Sequence, residues 1–186
     1  MRHAVRHGRL SARRILVGAG AAVLLAAALA AARPGGLVLE AVDLDGDRTL
    51  VREPVSPGST FALRYRHSIY DAPAWEWYEV LADGRMRLRR IASSKEAVLE
   101  YYRLSVPIIH RDDLAVAEVM DVVVPHVVLR VGRIGQQRLV IAGGKEIPLS
   151  EHAGDGSRVL LRLRRLPSPA GRLWHALTSS LSRPTV

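Results

Sequence analysis

Apolar and polar residues alternate in short runs over most of the chain, and turn-forming pairs separate the runs. Residues 37–44 (LVLEAVDL) and 48–53 (RTLVRE) flank Asp45-Gly46. Residues 75–81 (WEWYEVL) and 85–91 (RMRLRRI) flank Asp83-Gly84, and 138–142 (RLVIA) and 145–149 (KEIPL) flank Gly143-Gly144. Alternation with period two marks half-buried strands, and Asp-Gly and Gly-Gly favour the positive φ that tight hairpins require. Residues 127–131 (VVLRV) and 159–165 (VLLRLRR) add two more strands. The pattern predicts an all-β fold, a small antiparallel β-sandwich or partly closed barrel, spanning residues 37–166.

The densest chemistry lies in residues 61–80, FALRYRHSIYDAPAWEWYEV. They read as two strands joined by a turn near Asp71–Pro73. With the turn across residues 70–74, Ile69 faces Trp75, Ser68 faces Glu76 and His67 faces Trp77. One face then carries Phe61, Leu63, Tyr65, His67, Ile69, Trp75 and Trp77 as core, and the other carries Arg64, Arg66, Ser68, Glu76 and Tyr78. A slip of one residue instead sets His67 against Glu76.

The middle is less regular. Residues 93–103 (SSKEAVLEYYR) fit either a helical turn or a strand, and residues 106–124 fit loop plus one or two strands. Beyond the break at Pro167-Ser168-Pro169, residues 167–186 carry Leu173, Leu177 and Leu181 four apart. That spacing fits a short amphipathic helix or a frayed end.

Charge changes the picture at the N-terminus. Residues 1–14 hold five arginines and precede an uncharged run over 15–32, closed by Arg33-Pro34. Eighteen residues make ~27 Å of helix, close to the hydrocarbon thickness of a bilayer. Residues 15–33 therefore predict a signal-anchor with the N-terminus cytoplasmic and the rest extracytoplasmic. Ala30-Ala31-Ala32 offers a signal-peptidase site, in which case the domain is secreted. The formal charge of +9 includes six arginines in residues 1–33 with no acid. Without them the rest is only +3, so nucleic acid is not needed to explain the basicity. The chain has no cysteine, so an exported domain must rest on core burial alone.

Catalytic and metal patterns are weak. His67 and Ser68 are adjacent in a strand and point to opposite faces, which separates base from nucleophile. Asp43-Leu44-Asp45-Gly46-Asp47 opens like a calcium loop but lacks the later glycine and glutamate. His110, Asp112, Asp113 and His126 show no metal-ligand spacing. No cofactor and no metal are expected. Arg85, Arg87 and Arg89 alternate on one strand and Arg162 and Arg164 on another; adjacent faces would form a basic patch for lipid or an acidic partner, whereas a single such face is more often simply solvated.

Tyr65-x-His67-Ser68, followed by Pro73 and Glu76, resembles the domain of unknown function 1850 family. These are small membrane-anchored proteins encoded beside TAXI-type TRAP transporters. The resemblance runs from about residue 37 through residue 80 and resumes over residues 127–164. It departs at residues 93–97 (SSKEA), where relatives are glycine-rich. It implies a membrane-tethered accessory whose partners are the transporter's membrane subunits, its solute-binding protein, or both, and the weak catalytic patterns fit a non-catalytic role. Tyr65, Arg66, His67, Ser68, Pro73, Trp75 and Glu76 are the candidate ligand- or partner-binding residues. Two rival readings are a β-module binding an anionic solute through Arg64, Arg66 and His67, and an acid–base enzyme using His67 and Glu76.

Overall fold

In the computed structural model, which describes residues 36–167, the chain forms these strands in order: β1 (Leu37–Asp43), β2 (Arg48–Val55), β3 (Thr60–His67), β4 (Ala72–Val80), β5 (Met86–Ser93), β6 (Ile108–Arg111), β7 (Leu114–Glu118), β8 (Val123–Val124), β9 (His126–Arg130), β10 (Arg138–Val140), β11 (Glu146–Pro148) and β12 (Arg158–Arg165). Two short helices interrupt them, α1 (Glu96–Tyr101) and α2 (Leu149–His152). The proposed anchor at 15–33 lies outside the described residues, as does the tail beyond Pro167. Among the described residues no helix is long and apolar enough to cross a membrane.

The fold is all-β, with every strand pairing antiparallel. One sheet has the order β2-β1-β12-β9. The other runs β11-β10-β3-β4-β5-β7-β6, with β8 also on β5. Leu39, Ala41 and Leu161 of the first sheet share one buried cluster with Leu63, Met86, Ile91 and Leu139 of the second. The chain crosses from the first sheet to the second between β9 and β10, and that crossover helps to wall the site described below.

The three turn pairs are hairpins, with one exchange of roles. Gly84, Gly143 and Gly144 take positive φ. In the first hairpin Asp47 does so instead (φ 45°). Gly46 has a different reason to be glycine: a Cβ there would lie 2.7 Å from Asp43 Oδ2. Asp43 Oδ1 accepts the N–H groups of Asp45 and Gly46, so the calcium-loop residues serve as a turn cap. Asp112 and Asp113 likewise take positive φ in the turn between β6 and β7.

The central hairpin differs from the expected register. β3 ends at His67 and the turn occupies residues 68–71, closed by Asp71 at φ 49°. His67 pairs with Ala72, Tyr65 with Ala74, Arg64 with Trp75 and Leu63 with Glu76. Relative to the expected pairing of His67 with Trp77, β4 is displaced by five positions. An odd displacement exchanges its faces. Glu76 and Tyr78 therefore turn inward, while Trp75 and Trp77 turn outward beneath Arg64 and Arg90, whose guanidinium carbons lie 5.9 and 5.5 Å from the ring centroids. Ile69, expected in the core, is 65% exposed in the turn. Pro73 sits just past the last β4–β5 pair, Ala74 with Ser93, so its missing N–H breaks no ladder bond.

The basic-patch expectation also changes. Arg162 and Arg164 lie in the first sheet and Arg85, Arg87 and Arg89 on or beside β5 of the second. All five are engaged by acids: Arg85 by Asp83, Arg87 and Arg89 by Glu79, and Arg162 and Arg164 by Glu40. Glu40 is fully buried on the central strand β1, with Arg52 and Arg162 opposite it on the two neighbouring strands.

Gly84 gives a direct check on the hairpin turns. At φ 87° an alanine is strained whatever space surrounds it, so Gly84→Ala should cost about 1 kcal/mol in urea denaturation.

Candidate functional site

The inward face of the central hairpin opens into a cleft of about 800 Å³. Three elements make its walls. β3 and β4 supply Leu63, Tyr65, His67 and Glu76; the end of α1 supplies Tyr101 and Tyr102; β9 and the following loop supply Val127 to Gly135 with Gln137. Alternation along β3 puts Leu63, Tyr65 and His67 on one face, and the observed register adds Glu76 to it. In α1, Val98 and Leu99 pack into the core, which leaves Tyr102 directed at the cleft floor and Tyr101 at its rim. Segment 93–97 sets that helix in place. Ser93 Oγ donates to Pro73 O at 2.8 Å, and Lys95 Nζ donates to Tyr70 O at 2.8 Å.

Loop 131–137 is held as an extension of the sheets. Arg66 donates its backbone N–H to Gly135 O at 2.7 Å. The Gln137 amide donates to Arg130 O at 2.8 Å and accepts from Gly132 N–H at 3.0 Å, covering part of the β9 edge. A Cβ at 132 would meet Asp155 Oδ1 at 2.7 Å, so a larger residue there must displace the carboxylate that accepts the Arg133 N–H.

Glu76, only 8% exposed, is the chemical centre of the floor. Tyr102 donates to its Oε1 and Tyr78 to its Oε2 through short hydrogen bonds, and Tyr65 Oη lies 3.1 Å from Oε1 and also against Tyr102 Oη. Burial first, and then the negative charge of Glu76, raise all three phenols above their ordinary range. Each hydroxyl therefore stays protonated and available as a donor. Tyr78 stacks on Phe61 at 5.4 Å, which fixes its approach to the carboxylate. In Tyr78→Phe the stacking survives and one donor is lost. Urea unfolding should show a loss of about 1–2 kcal/mol with an unchanged m-value.

His67 is 9% exposed and lines the same cleft. Its ring lies 5.1 Å from Tyr70 and 5.2 Å from Tyr101, the latter edge-on at 75°. Its Nδ1 is buried and has no hydrogen-bond partner. No hydrogen bond joins it to Glu76; on β3 their positions are separated by Tyr65, since Glu76 is opposite Leu63.

Of the seven candidate residues, Tyr65, Arg66, His67, Ser68 and Glu76 line the cleft. Ser68 is exposed in the turn, away from its expected bond to Glu76. Arg66 reaches outward to Asp71 at 2.5 Å. Pro73 and Trp75 do not line the cleft, and Arg64 turns to Glu146 and the Trp75 ring. Sequence reasoning missed Tyr78, Tyr101, Tyr102 and the β9 wall. The Tyr101-Tyr102 pair was the visible signal, but its role depends on α1 lying against β5 and β7, a contact between distant segments. Among the described residues no group of three or more His, Cys, Asp or Glu side chains is placed to hold a metal.

Comparison of the chain with protein-family models, with curated proteins and with solved structures returns no match.

Proposed function

We propose that this chain is a non-catalytic binding module for a small charged solute, a β-sandwich domain tethered to the membrane and facing the extracytoplasmic side. The observation that carries the reading is the open cleft itself. It is large enough for a small organic molecule, and its lining combines apolar wall residues with polar side chains that include Tyr65, His67 and Glu76. Its setting comes from the sequence: the basic N-terminus and apolar run support export, and the motif resemblance supports an accessory role beside a TAXI-type TRAP transporter. Four of the five motif residues, Tyr65, His67, Ser68 and Glu76, line the cleft. A binding role gives those residues one common purpose. The separation of His67 from Glu76 favours binding over acid–base chemistry, which needs its groups within hydrogen-bond reach of a common proton path.

A thermal-shift screen of the full chain against amino acids, carboxylates and amines tests the binding role. A true ligand at saturation should raise the melting temperature by about 5 °C or more. No shift with any compound would overturn it. The transporter setting has its own check. Deletion of the chain should lower solute uptake while both transporter subunits are still made, and unchanged uptake would contradict an accessory role.

A further inference from the structure

We infer, building on the binding-module reading, that the inner end of the cleft takes an organic cation: an ammonium head group carrying an apolar chain. Three carboxylates are buried among the described residues, those of Glu40, Asp43 and Glu76. Glu40 is neutralised by Arg52, Arg162 and Arg164, and Asp43 by Arg48. Glu76 has only neutral hydroxyl partners. A buried carboxylate without a cation is costly even when hydrogen-bonded. This one faces an open cleft, where a ligand can supply the missing charge.

The surroundings suit a cation in two further ways. Tyr65, His67 and Tyr102 present rings toward the floor of the cleft, and Tyr101 adds one at the rim beside His67. Ring faces attract ammonium groups within about 6 Å, and more strongly where water is excluded. The Nδ1 of His67, whose ring lines the cleft, is buried without a hydrogen-bond partner, whereas buried polar groups are normally paired. Val127 and Leu129 line the same cleft and offer apolar surface to a chain. An anionic head group has poorer prospects here. Of the arginines that line the cleft, Arg66 is engaged by Asp71 and Arg133 by Asp155, and Arg130 donates to Gly156 O, while Arg64 lies over the Trp75 ring rather than in the cleft.

Isothermal titration of the full chain with hexylammonium and with hexanoate tests this, because the two share a chain and differ in head-group charge. Hexylammonium should bind at least roughly tenfold more tightly, and Glu76→Gln should weaken it by roughly tenfold or more. Glutamine keeps an acceptor for Tyr102 and Tyr65 and removes the charge. Tyr101→Ala provides a second variant that leaves the core untouched, since Tyr101 is 59% exposed. It should weaken hexylammonium about threefold. Tighter binding of hexanoate, or hexylammonium binding indifferent to both substitutions, overturns the cation assignment while leaving a binding module in place. Binding of neither probe also overturns the assignment, and the compound screen then decides the broader reading separately.

Discussion

Glu40→Ala is expected to destabilise the domain by about 3 kcal/mol. The carboxylate is fully buried on β1 and receives hydrogen bonds from Arg52, Arg162 and Arg164 at 3.0 to 3.1 Å. Its removal leaves three like charges gathered on one sheet face with nothing between them. The arginines are themselves about half exposed, so solvation of the stranded guanidiniums keeps the cost near the lower end for a broken buried pair. A pH signature separates this from a simple packing defect. Burial alone would raise the Glu40 pKa, but the Arg162 hydrogen bond and the charges of Arg164, Arg162 and Arg52 together hold it below its ordinary 4.5. A depressed folded-state pKa gives stability that is present above pH 4.5 and is lost as pH falls through the folded value. Glu40→Gln should flatten the acid side of the stability profile in that window. Stability that falls with acid equally in wild type and variant would remove Glu40 from this role.

The second large effect is at Glu76, where leucine and glutamine should part company. Leucine fills a similar volume but strands the hydroxyls of Tyr65, Tyr78 and Tyr102, all substantially buried. The expected loss is about 3–5 kcal/mol, from several unsatisfied hydroxyls at about 1–3 kcal/mol each with partial relief among themselves. Glutamine keeps Oε1 as an acceptor and offers its amide to the Tyr78 oxygen, so its loss should be about 1 kcal/mol. Denaturant unfolding of the two variants measures the difference directly. Equal destabilisation would mean that the three phenols do not depend on an acceptor at this position.

Much of the fold was legible because its signals are local. Asp83-Gly84 and Gly143-Gly144 encode positive φ within two residues, and the alternation in residues 37–44 and 159–165 encodes paired strands without reference to anything distant. The site was legible only in part. Tyr65, His67 and Glu76 stood out as polar groups within an aromatic hairpin, but their relation depends on where the turn falls. Placing it at residues 70–74 rather than 68–71 put Glu76 on the outside and Trp75 and Trp77 within. Hydrophobicity favoured that error, since two tryptophans look like core. Here their outer positions are stabilised by Arg64 and Arg90 stacked on the rings. The setting of the arginine rows of β5 and β12 was not legible for a related reason. Their neutralising partners, Glu79 and Glu40, lie on neighbouring strands whose register a linear pattern does not reveal.

On the proposed binding role, the motif residues Tyr65, His67 and Glu76 form the floor on which a ligand rests. A crystal structure of the full chain with the strongest compound from the thermal-shift screen checks this. Ligand density is expected between Tyr102 and Val127, with a polar group against Glu76. Density elsewhere on the surface, or an empty cleft at saturating compound, would contradict it.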